Sequence, residues 1–183
     1  YASGGITYDA NPLEIAAVDS ASIDEGSNFL SLHRGKDRSG WSYLPGSLTE
    51  VESIATIAGE NNIPIIMDIG VDASESRIRE ILSDKQYNVL HFATHGFYVD
   101  KGDDKYGKDL KLINADDAMN RAALLFAGAN ANWDKNLNLP SEVDGLLTAR
   151  EMSEIDMSHV DLIILSACET GNGEVEYLEG TSG

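Results

Sequence analysis

Two short apolar runs, each ending abruptly at residues that can do chemistry, constrain this chain more than any other feature. Residues 88–94 read Asn-Val-Leu-His-Phe-Ala-Thr and pass into His95-Gly96, while residues 161–166 read Asp-Leu-Ile-Ile-Leu-Ser and pass into Ala167-Cys168. Runs of this length, rich in Val, Ile and Leu, suit strands buried on both faces, and such strands occur in parallel sheets covered by helices. Runs at 13–18, 63–69 and 122–127 have the same character. The pattern predicts an α/β fold, a mostly parallel sheet flanked by helices.

Helix starts are expected between the strands. Ser47 with Glu50 has the spacing of a capping box opening a helix to about Gly59, and Pro45-Gly46 marks the turn before it. Asp72 with Glu75 repeats the pattern before 76–82, where Ile78, Ile81 and Leu82 supply an apolar face, and Thr148 with Glu151 repeats it before Met152 and Ile155. Polar stretches at 99–120 and 130–144 are expected to be long loops, of the kind that lie over a site or meet a partner. No internal repeat interrupts this order.

Composition narrows the function. A chain of 183 residues fits one domain with a substantial core. Its 31 Asp and Glu against 13 Lys and Arg give a formal net charge of -18, which would repel a phosphate backbone and argues against nucleic acid as a partner. An acidic surface keeps a protein soluble and suits basic peptide segments. One cysteine forms no internal disulfide, so a cytoplasmic location is expected. No apolar stretch approaches the ~18 residues of a membrane helix, so no membrane partner is expected. The start at Tyr1 rather than Met points to a piece of a longer chain.

If the two runs are parallel neighbours, both end at one carboxyl edge, where sites form in open α/β sheets. A thiol becomes a strong nucleophile as thiolate, and an adjacent imidazole takes its proton near neutral pH. Cys168 and His95 are thus a candidate nucleophile and general base. The Gly96 N–H, with that of Cys168, is a candidate oxyanion hole, where one donor is typically worth about 3 kcal/mol. Spacing alone leaves room for a buried thiol and a core histidine in an unrelated nucleotide-binding or hydrolase domain.

The words His-Phe-Ala-Thr-His-Gly at 91–96 and Ser-Ala-Cys-Glu-Thr-Gly at 166–171 resemble the two active-site signatures of the CHAT family, caspase-like domains, mostly bacterial and often attached to tetratricopeptide repeats. Leu44-Pro45-Gly46 with Glu50, residues 124–129 (Leu-Leu-Phe-Ala-Gly-Ala) and 144–151 (Asp-Gly-Leu-Leu-Thr-Ala-Arg-Glu) look like further family landmarks, so the resemblance covers roughly 44–173. It implies a caspase-like fold and a cysteine endopeptidase with a His95–Cys168 dyad. It also implies an oxyanion hole at Gly96 and Cys168, a protein substrate, and no cofactor or metal. A catalytically inert signalling or scaffolding module of the same fold is the alternative.

On that resemblance, 1–43 form the N-terminal part of the domain or a preceding segment, and 44–183 the dyad-bearing portion. In the family a helix and further strands follow the second signature, so the distal part of the fold is expected from outside these residues. Expected partners are that C-terminal part and a repeat region or regulatory protein.

Other residues have plainer readings. His91 and His95 share a strand face, but they lack the His-Glu-x-x-His pattern and a supporting ligand set, so a metal site is rejected and His91 is expected to pack beneath or support His95. His33 and His159 are expected at the surface. Gly171-Asn172-Gly173 lacks a phosphate-loop partner and reads as a loop beside the nucleophile. Glu169 is expected to face solvent, Asp161 to begin its strand, and Trp41 and Trp133 to pack over loops or meet substrate.

Overall fold

The computed structural model describes residues 1–11, 15, 40–98, 118–131 and 144–167. In chain order its elements are β1 (Ala2–Ile6), α1 (Pro45–Glu60), β2 (Met67–Gly70), α2 (Glu75–Ser83), β3 (Val89–Ala93) and β4 (Gly96–Tyr98). After a 3-10 turn (Ala118–Arg121) come β5 (Ala122–Leu125), β6 (Leu146–Thr148), α3 (Ala149–Ser153) and β7 (Leu162–Ser166). A four-stranded sheet has the order β2-β1-β3-β7, and all its pairings are parallel. A second sheet, β4-β5-β6, is antiparallel. The α/β expectation therefore holds, with a parallel sheet flanked by helices as in the caspase-like fold. Among the described residues no helix is long and apolar enough to cross a membrane.

Side-chain alternation along β3 builds the layers. Leu90 and Phe92 enter the larger apolar core with Ile78, Ile81 and Leu82 of α2, while Ala93 packs with Val51 of α1 and Ala2 of β1 in a smaller one. The close approach of α1 to β1 depends on glycine. A Cβ at Gly4 would lie 2.5 Å from the Ser47 carbonyl oxygen. Next to it the β1–β2 register shifts, and Gly5 takes a positive φ of 60° at the irregularity.

The runs at 88–94 and 161–166 become β3 and β7, and part of 63–69 becomes β2. Two expectations are corrected, and a third lies mostly outside the described residues. The run at 122–127 does form a strand, but it pairs antiparallel in the second sheet. The run at 13–18 lies mostly outside the described residues, and its one described member, Ile15, is helical, its N–H donating to the Asn11 carbonyl at 3.1 Å. Residue 130 does not open a polar loop, because Asn130 is buried in a helical turn.

Two of the three caps also differ. Helix α1 begins at Pro45 without a side-chain cap, since Ser47 Oγ donates to the Leu44 carbonyl and accepts from the Gly5 N–H. Helix α2 is capped by Ser74, which accepts from the Arg77 N–H at 3.2 Å. Only Thr148–Glu151 forms the full reciprocal box.

Glu75 turns inward instead of capping. Its Oε1 accepts from Arg79 and its Oε2 from the Gly145 N–H at 3.1 Å, and Arg79 also pairs with Glu151 at 2.8 Å. This network fastens α2 to the start of β6 and to α3. Burial, with Asp144 nearby, pushes the Glu75 carboxyl up to about 8 against the pull of Arg79, and burial pushes Asp144 up to about 7.

Candidate active site

His95 occupies the corner where the chain leaves the parallel sheet and enters the antiparallel one. Both sides of the corner are tied down. The Thr94 N–H donates to the Ser166 carbonyl at 3.2 Å, and the His95 carbonyl accepts from the Leu125 N–H at 2.9 Å. A directed relay joins them: His95 N–H donates to the Tyr8 hydroxyl at 3.2 Å, Tyr8 meets Thr94 Oγ1 at 3.0 Å, and Thr94 Oγ1 donates to the Leu125 carbonyl. A carbonyl only accepts, so Thr94 spends its proton there and Tyr8 donates to Thr94. Each member is satisfied and the corner has one geometry.

The imidazole is as firmly placed as the backbone. His95 is 4% exposed, with Tyr8 at 5.0 Å and Trp41 at 5.2 Å between ring centres. Its Nε2 lies 2.8 Å from the Ser42 carbonyl, which makes Nε2 the protonated nitrogen and leaves the lone pair of the neutral ring on Nδ1. Burial lowers its pKa, and the Ser42 carbonyl pulls the other way. A buried, oriented, neutral imidazole is suited to accepting a proton.

Strand β7 brings the second signature to the same edge. Its register with β3 pairs Ala93 with Ser166. His95 and Cys168 each lie two residues beyond that pair. Cys168 falls outside the described residues, as do His33, Trp133, Glu169 and 171–173. Ala167, its neighbour, is described: a Cβ built on Gly96 would sit 3.5 Å from the Ala167 Cβ, so the His95-Gly96 corner lies against the residue preceding the cysteine.

Glu50, read from sequence as half of a cap, joins both signature strands to α1. Its Oε1 accepts from His91 Nε2 at 2.9 Å and its Oε2 from Ser166 Oγ at 3.0 Å. His91 thus packs beneath the edge and points its Nε2 at Glu50, while His95 Nε2 faces Ser42. Among the described residues no group of three or more His, Cys, Asp or Glu is arranged to hold a metal ion. His159, expected at the surface, instead has both ring nitrogens buried with no hydrogen-bond partner.

A family model for the CHAT domain matches residues 6–183. The chain belongs to the CHAT domain family. Comparison with curated proteins and with solved structures gives no match. The CHAT domain is caspase-like, and both signature strands of this member are the neighbours that such a fold requires. Tyr8, Ser42 and Trp41 complete the histidine's surroundings, and sequence reasoning did not find the first two. They carry no motif, and Ser42 acts through its main chain, which any residue supplies.

Proposed function

We propose that this CHAT domain is a cysteine endopeptidase acting on a protein substrate through Cys168 and His95. The observation that carries the reading is the parallel β3–β7 register, with Ala93 opposite Ser166 and Gly96 against Ala167. In this reading Nδ1 of His95 takes the Cys168 thiol proton and the thiolate attacks the scissile carbonyl carbon. The N–H groups of Gly96 and Cys168 stabilise the oxyanion. The tetrahedral intermediate collapses to a thioester as imidazolium returns the proton to the leaving amine, and water then hydrolyses the thioester. The Ser42 carbonyl stabilises the imidazolium and holds its orientation, so no third carboxylate is needed at Nε2.

In the complete protein, Cys168→Ala and His95→Ala are each expected to abolish peptide cleavage, and turnover retained by either variant refutes the dyad. A peptide electrophile should label Cys168 in the wild-type protein. Absence of both labelling and cleavage favours the inert signalling or scaffolding module.

A further inference from the structure

Asn130 stands between the two segments that flank the His95 ring. Its side chain is 5% exposed and fully engaged. Oδ1 accepts from the Trp41 N–H at 2.7 Å, and Nδ2 donates to the Trp41 carbonyl at 2.9 Å and to Asp9 Oδ1 at 2.9 Å. The amide thus pairs with Trp41 as a neighbouring strand would, through one donor and one acceptor on the same residue. The Asn130 N–H donates to the Tyr8 carbonyl at 3.0 Å, so a single residue grips both aromatic walls of the histidine.

The Trp41 carbonyl it holds adjoins Ser42, whose own carbonyl accepts from His95 Nε2. A rigid peptide unit runs from Trp41 to the Ser42 Cα, so fixing Trp41 places the Cα from which the Ser42 carbonyl projects. Residues 40–44 form no helix or strand, and a segment without a backbone ladder needs side chains to fix it. Aspartate at 130 lacks both side-chain donors, and alanine lacks the whole pair.

We infer that Asn130 is a positioning residue that sets the tautomer and orientation of His95 through Trp41 and the Ser42 carbonyl. Its importance for turnover rests on the peptidase reading, whereas its effect on the imidazole does not. In wild-type protein, 15N spectra of the imidazole should show the proton on Nε2, and the Trp41 amide should be protected from hydrogen exchange. In Asn130→Ala the fixed tautomer should be lost and kcat should fall about 100-fold, with KM within about twofold. Asp9→Ala removes one bond but keeps the Trp41 pair, and should leave the tautomer unchanged.

A folded Asn130→Ala protein that keeps its Nε2 proton, or Asp9→Ala losing it as fully as Asn130→Ala, overturns the inference. If Asn130→Ala fails to fold, the wild-type measurement decides, because a Trp41 amide exchanging at the unprotected rate overturns it equally. A protein without peptidase activity whose imidazole tautomer still depends on Asn130 refutes the hydrolase reading and supports the positioning role.

Discussion

Strands β3 and β7 are paired over five residues and lead into the two signatures, but their surroundings differ sharply. β3 lies between β1 and β7 with both faces covered, and Phe92 is 1% exposed. Along β7, Leu162 is 50% and Leu165 52% exposed, and among the described residues β3 is its only strand partner. The histidine side is consequently held by core packing, the hydroxyl relay and the Ser42 carbonyl. The strand leading to the cysteine is held by backbone pairing, by Ser166 on Glu50 and by the partial packing of Ile163 and Ala167 against the larger core. The proposed dyad would draw on two strands held by unequal means, with the histidine side the more preorganised.

The largest expected effect comes from truncating the covered strand. Phe92→Ala should cost about 3 to 5 kcal/mol in denaturant unfolding, through lost burial and the cavity left against α2. Leu165→Ala on β7 should cost less than about 1 kcal/mol. Equal losses would remove the contrast between the strands. Glu50→Ala is next. It deletes the acceptor shared by His91 and Ser166 and should cost about 1 kcal/mol, while speeding amide exchange in β7 more than in β3. Uniform acceleration would mean that Glu50 anchors the sheet as a whole rather than β7 to it.

A further effect is one of slope and concerns the core under β3. Glu75 has its pKa raised by folding, so between its ordinary value near 4.5 and its folded value of about 8 the folded chain binds more protons than the unfolded one. That contribution is complete below the ordinary value and is lost as pH rises through the folded one. Stability should therefore decline from pH 5 to 8, and Glu75→Gln should flatten the decline. An unchanged slope would assign it to other groups.

Strands β3 and β7 and the Thr148–Glu151 cap were legible because their signals are local, an apolar run or a side chain three residues from its partner. The other caps misled for a specific reason. Glu50 and Glu75 stand where a cap would put them, yet other partners take their oxygens: His91 and Ser166 from distant strands for one, Arg79 a turn further along the helix and the distant Gly145 N–H for the other. Strand β1, Ala-Ser-Gly-Gly-Ile, gives no strand signal because its glycines serve the approach of α1 and the irregular register.

By itself the sequence determined the α/β class, the family and the identity of the candidate dyad, since strand periodicity and short signatures are written in adjacent residues. Only the tertiary structure decided which nitrogen of His95 is protonated and what holds the ring. Those contacts join Ser42, Tyr8 and Asn130 across 53 to 89 positions of chain, partly through main-chain atoms that every residue shares.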